Sequence, residues 1–169
     1  MPRILAALVA VPLLYAADPA PREWPVYGGG PESIRHSTLK QINRANVKQL
    51  TMAWSYDAQD GPGGLQTSPI IVGGVLYANT PKSRVIALDA GTGKLLWKFD
   101  SGLDLRGANR GVTYWADRDD RRIFAAAGGY LYALDARTGK AIATFGNDGR
   151  IDLRGDLGRD TAQQSVVLT

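Results

Sequence analysis

No cysteine occurs anywhere in the 169 residues, which excludes a disulfide framework and any metal held by thiolates. Histidine is nearly as scarce. The single copy, His36, has no partner at ligand spacing and reads as a surface or packing residue, not as a metal ligand or base. A charged face of one sign is also missing. The formal net charge is +4, yet the basic residues are interleaved with acids, as in Asp117-Arg118-Asp119-Asp120-Arg121-Arg122, and none form a stripe alternating with aromatics. Nucleic acid is therefore not an expected partner. No low-complexity tract is present and 44% of the residues are hydrophobic, a composition for a soluble, globular, β-rich chain. Nor is any apolar run of membrane-spanning length. The run from Ile4 to Leu14 falls well short of the ~20 residues that a bilayer requires. Arg3 precedes it, and Tyr15-Ala16-Ala17 and the polar Asp18-Pro19-Ala20-Pro21 follow, which is the plan of a signal peptide over 1–17, cleaved after Ala16 or Ala17. Export to a periplasmic or secreted location is the expectation.

What is present is a repeat. The stretch from Val85 to Phe99, VIALDAGTGKLLWKF, returns from Tyr130 to Phe145 as YLYALDARTGKAIATF, with Ala87-Leu88-Asp89-Ala90 and Ala133-Leu134-Asp135-Ala136 set 46 residues apart. That period belongs to propeller blades and solenoid coils. Each copy reads as strand, tight turn, strand, closing on Phe99 or Phe145. Gly93 and Gly139 supply the positive φ of the turn, and the Asp89 and Asp135 carboxylates accept from its backbone N–H groups. Duplication in register marks these two acids as turn residues, since a general acid and base pair has no need to be copied. Further strands precede each hairpin: 74–79 and 122–127, and before those 68–72, ended by the Gly73-Gly74 turn, and 111–115. Four short antiparallel strands per unit is the make-up of one propeller blade.

Ahead of the repeats, Tyr27-Gly28-Gly29-Gly30-Pro31 offers three glycines but no following Lys-Ser or Lys-Thr and no strand-to-helix context. It is read as an irregular surface segment and not as a phosphate loop. Gln41 to Leu50 reads as one short helix capped by Asn43, with Val47 and Leu50 facing inward. Thr51 to Tyr56 reads as an alternating strand of the same type as Leu95 to Phe99, because each carries aromatics about a tryptophan. Arriving before any complete unit, it is suited to closing a ring by completing the last blade. Trp54 and Trp97 are expected to pack between blades, with Ala143 in the equivalent place of the second unit. Two units cannot close a ring, and Ser165 to Thr169 reads as the opening strand of a third, so the chain is expected to be the N-terminal part of a longer protein.

The run Leu76-Tyr77 through Ala87-Leu88-Asp89-Ala90-Gly91-Thr92-Gly93-Lys94-Leu95-Leu96-Trp97 resembles the repeats of the pyrroloquinoline quinone (PQQ) propeller superfamily. Three further stretches resemble the PQQ-dependent dehydrogenases in particular: Trp24 to Trp54, Asn109-Arg110-Gly111-Val112-Thr113-Tyr114-Trp115, and Phe145 to Leu153. The resemblance implies an all-β fold: part of an eight-bladed type of β-propeller, about two blades plus an N-terminal closing strand and one short helix, over 18–169. It also implies PQQ with a calcium ion, an alcohol, polyol or sugar substrate, and a quinone or cytochrome as electron acceptor. Membrane association of the full-length protein is left open.

Arg110 stands where the family places an arginine against the cofactor, and a planar guanidinium fork suits carboxylate or carbonyl oxygens. Gln66 stands where many relatives carry a cofactor-binding glutamate. Its amide donates and accepts but carries no charge. Thr169 matches a cofactor-contacting hydroxyl that opens the next blade. No catalytic residue and no metal ligand is expected here, because the family's aspartate base and calcium ligands lie in later blades. Alcohol-oxidising members carry two adjacent cysteines before the arginine motif. This chain has Arg106-Gly107-Ala108-Asn109 instead, which points to the glucose or polyol branch. Repeats of this kind also occur in non-catalytic scaffolds for protein binding or envelope assembly, the competing expectation.

Overall fold

A computed structural model describes residues 23–60, 64–103, 105 and 109–155. The expected signal peptide and the third-unit strand lie outside the described residues. Eight strands form two four-stranded antiparallel sheets in sequence order. The first holds β1 (Ile70–Val72), β2 (Val75–Asn79), β3 (Val85–Asp89) and β4 (Leu95–Phe99). The second holds β5 (Thr113–Asp117), β6 (Asp120–Ala127), β7 (Tyr130–Asp135) and β8 (Arg150–Asp152).

Period-two alternation explains the layering. In the first sheet, Tyr77, Val85, Ala87 and Trp97 face one way and join Ile123, Ala125, Ala127, Tyr132 and Leu134 of the second sheet in a single core. The opposite face of the first sheet, Leu76, Ala78, Ile86 and Leu88, is covered by Trp54 and Tyr56. Rings meet across the two sheets, Phe99 with Tyr132 at 5.2 Å and Tyr77 with Tyr114 at 6.4 Å, so the sheets stack as neighbouring blades. Tyr77 sits 5.8 Å from the Trp97 ring and donates its hydroxyl to the Ala136 carbonyl at 3.2 Å. Burial pushes its phenol up to about 12.

The repeated turns behave as the sequence predicts. Gly93 and Gly139 have φ of 72° and 71°. Asp89 Oδ1 accepts from the Thr92 backbone N–H and hydroxyl at 2.8 and 2.7 Å, and Asp135 Oδ1 does the same for Thr138 at 2.8 and 2.7 Å. These bonds hold the Asp89 carboxyl below its ordinary range. At Asp135 partial burial pushes upward, but the Thr138 bonds outweigh it and the net shift is again downward.

The tryptophans dock by one rule. Trp97 Nε1 donates to Ala136 O at 2.9 Å with its ring over Gly139, while Trp54 Nε1 donates to Ala90 O at 3.2 Å with its ring over Gly93. Trp54 thus stands to the first sheet as Trp97 stands to the second, the place of an outer strand in a preceding blade.

Residues 51–56 keep the expected alternation, with Trp54 and Tyr56 half-buried between exposed neighbours, and the ring-closing partner expected for them is not among the described residues. Two expectations need correction. The short helix over 41–50 is a single 3-10 turn, Val47–Gln49, and Val47 and Leu50 are exposed at 47% and 58%. Asn43 folds the chain locally instead, its Oδ1 accepting from Ala45 N at 2.9 Å, and among the described residues no apolar surface lies against the segment to stabilise a longer helix. In the second blade the outer strand does not run on to Phe145, nor does Ala143 take the tryptophan's place. Ala141 bridges Leu134, as Leu95 pairs with Leu88, and the chain then leaves the sheet. It returns at Arg150 to pair with Tyr132. Gly146, Asp148 and Gly149 all have positive φ, which turns the excursion back. Ala133 closes its neck, accepting from Ile142 N at 2.9 Å and donating to Gly149 O at 3.1 Å. No helix among the described residues is long and apolar enough to cross a membrane.

Candidate functional site

Inner strands β1 and β5 each begin just after a loop, and the two loops meet at one end of the pair of blades. Ser68 N donates to Arg110 O at 2.9 Å, and Ser68 forms a parallel bridge with Gly111. Gly111 is required there. Its φ is +148°, and a Cβ would lie 2.9 Å from the Ser68 carbonyl oxygen. The bridge places Gln66, ahead of β1, and Arg110, ahead of β5, on the wall of one cavity of about 660 Å³. The N-terminal segment supplies the opposite wall. Trp24 pairs with Ile71 on the free edge of β1 through bonds of 2.8 and 2.9 Å, and the chain from there lines the cavity with Pro25, Tyr27 and Ser33. Gly29 is packed so closely that a Cβ would meet the Trp24 ring at 2.9 Å. Tyr27 is held in turn by Arg35, whose guanidinium donates to the phenol oxygen at 2.7 Å.

The lining carries one charged residue, Arg110, and no acid among the described residues. The Arg110 side chain is exposed and makes no ion pair or hydrogen bond there. Among the described residues, an unpaired guanidinium beside the amide of Gln66, the hydroxyls of Ser33, Ser68 and Thr113, and the apolar Val26, Ile70 and Val112 suits an anionic ligand with apolar surface. The volume lies in the range of small-molecule sites. Of the residues expected at the site from sequence, Gln66 and Arg110 come together, and Thr169 lies outside the described residues. The glycine segment is irregular, as expected, but it is more than surface, since it forms a wall of the cavity. The signals for it in the sequence are the three glycines after Tyr27 and the resemblance of Trp24 to Trp54 to the PQQ-dependent dehydrogenases. His36 is exposed and does not line the cavity.

An ionic cluster centred on the buried Asp60 carboxylate ties that residue to the 80–84 turn. The Asp60 side chain is only 1% exposed. It accepts from Lys82 N at 3.0 Å, from the Thr80 hydroxyl and from the Arg84 guanidinium, which also donates to Asp100 at 2.6 Å. Burial pushes the Asp60 carboxyl up, but these donors outweigh it and hold it below the usual range.

The glucose/ethanol/alcohol dehydrogenase, beta-propeller domain family (PQQ) matches residues 24–169. The chain belongs to this family. Within the PQQ dehydrogenase family it is 39% identical over 158 residues to the dehydrogenase subunit of alcohol dehydrogenase (quinone) from Gluconobacter oxydans, covering 82% of this chain and 20% of that protein. It is 34% identical over 172 residues to the quinoprotein glucose dehydrogenase of Escherichia coli, covering 88% and 22%. The crystal structure of quinohemoprotein alcohol dehydrogenase from Comamonas testosteroni superposes with a TM-score of 0.66 at 32% identity, over 79% of this chain and 20% of that one. The chain therefore spans about a fifth of the length of these PQQ dehydrogenases. Alcohol and glucose enzymes both stand among them. Among the described residues, one cation on an acid-free wall of mixed polar and apolar groups is chemically compatible with the carboxylates and carbonyls of PQQ. Among the described residues no group of three or more His, Asp or Glu is arranged to hold a metal ion.

Proposed function

We propose that this chain is the N-terminal part, residues 18–169 after removal of a 1–17 signal peptide, of an exported quinoprotein dehydrogenase that oxidises a sugar, polyol or alcohol. The observation that supports it best is the convergence of Gln66 and Arg110 on one cavity whose single charge is an unpaired guanidinium. Arg110 would grip a carboxylate or ortho-carbonyl of PQQ through its planar fork, Gln66 would donate and accept from the same face, and the 25–33 segment would exclude water. Bound PQQ supplies a quinone that takes a hydride from the alcohol or aldose carbon, the electrons passing to a quinone or cytochrome acceptor. A calcium ion would find its ligands outside these residues. The glucose or polyol branch is favoured over the alcohol branch by the absence of paired cysteines ahead of Asn109.

The test uses the full-length protein loaded with PQQ and calcium. Dye-linked oxidation of glucose or a polyol is expected to exceed that of ethanol. Arg110→Ala is expected to weaken PQQ binding about 10–100-fold, the loss of one charge-assisted hydrogen-bonding partner worth ~1.5–3 kcal/mol. Unchanged affinity in that variant removes Arg110 from the site. A full-length protein that neither binds PQQ nor reduces the dye belongs with the non-catalytic scaffolds.

A further inference from the structure

We propose that Asn109, which does not line the cavity, is the positioning residue for the Arg110 guanidinium. This rests on the reading of the cavity as the PQQ site. β5 begins at Thr113, opposite Phe124, so the last three residues of β6 run beyond the end of their inner partner. Ala126, one of the three, is only 2% exposed. Its carbonyl oxygen would be a costly buried orphan without a donor. Asn109 Nδ2 supplies that donor at 2.9 Å, so a side-chain amide stands in for the missing strand. The same amide reaches over Arg110 in the other direction, its Oδ1 accepting from Gly111 N at 3.4 Å.

Three consecutive residues are thereby fixed by three independent contacts: Asn109 to the β6 carbonyl, the Arg110 carbonyl to Ser68 N, and Gly111 by the absence of room for a side chain. Of the side chains here, that of Arg110 alone has no partner among the described residues. A cation on a long flexible stem binds an anion well when the backbone beneath it is already ordered, because that ordering is not then charged against binding. Asn109 provides this ordering without contacting the ligand.

The experiment measures PQQ dissociation constants by equilibrium dialysis on the calcium-loaded full-length apo-protein, for wild type, Asn109→Ala, Arg110→Ala and the double variant. Asn109→Ala is expected to raise the constant roughly tenfold, the cost of re-ordering about one freed backbone residue. The double variant is expected to bind no more weakly than Arg110→Ala alone, because Asn109 acts only through the guanidinium. Both single variants should also flatten the dependence of affinity on salt, which a merely structural role would not do. If Asn109→Ala does not fold, Asn109→Ser, which is uncharged and too short to reach the Ala126 carbonyl from the same place, carries the same cycle. Additive losses, or an unchanged constant in the Asn109 variant, overturn the positioning role while leaving the cofactor reading intact. A wild-type protein that does not bind PQQ overturns both.

Discussion

Gly139→Ala puts a number on the docking of one blade against the next. The added Cβ would lie 2.5 Å from Cε3 and 2.6 Å from Cδ2 of Trp97, closer than any tolerated contact, so the indole must move. The site also has φ of 71°, where an alanine carries about 1 kcal/mol of strain. Moving the ring breaks the Trp97 Nε1 bond to Ala136 O, worth about 1 kcal/mol, although Tyr77 still donates to that oxygen. Exposing a fifth to a third of the ~200 Å² that a buried tryptophan covers adds about 1–2 kcal/mol. The sum is roughly 3–4 kcal/mol. Gly74→Ala is the control, since Gly74 has φ of 76° with nothing within 4 Å of a Cβ, and it should cost only the ~1 kcal/mol of strain. Urea unfolding of the full-length protein, followed by tryptophan fluorescence, compares the midpoints at constant slope. Equal shifts in the two variants would refute the claim that the ring over the turn glycine, and not backbone conformation alone, joins the blades.

Two further outcomes follow from the titratable groups. The Tyr77 phenol is raised in the folded state to about 12, so its contribution is complete below the ordinary tyrosine value near 10 and is lost as pH climbs from there toward 12. Tyr77→Phe should remove that alkaline loss while giving up the bond to Ala136; an unaltered alkaline limb in pH-dependent melting would show that the phenol is not buried in the native blade pair. The Asp60 carboxyl is depressed in the folded state, so its contribution holds above about 3.9 and fades as pH falls toward its lower native value. Asp60→Asn should be less stable at neutral pH and show a shallower acid limb; matching acid limbs would mean that the Thr80, Lys82 and Arg84 donors do not favour the charged form.

Where a structural element is specified locally, the sequence was sufficient. The duplicated Asp-Ala-x-Thr-Gly turns, the Gly73-Gly74 hairpin and the order of strands all follow from positive φ, side-chain capping and alternation within a few residues. The errors lie where the partner is distant. Residues 41–50 have helix character in isolation, but nothing among the described residues packs on them, and propensity alone does not sustain more than one turn. The outer strand of the second blade departs from the sequence expectation because its pattern of apolar residues continues smoothly through Ala143 to Phe145, while the turn cluster Gly146-Asn147-Asp148-Gly149 that draws the chain away comes only afterwards. At the site, Gln66 and Arg110 were found through family resemblance. Their juxtaposition depends on the Ser68 to Arg110 bond between blades, which no local pattern encodes, and the same is true of the wall contributed by Tyr27 and Ser33.

The way Ala133 grips both ends of the 142–149 excursion makes that loop a spliced-in appendage. Because one residue anchors entry and exit, the tip of the loop can change while the pairing of Arg150 with Tyr132 stays in phase. The rest of the loop is not free, since the Phe145 ring packs on Phe124 at 5.5 Å and Asn147 N donates to Arg150 O at 2.8 Å. A foreign peptide grafted at Asp148, beyond those contacts, should be carried as a passenger on an intact sheet.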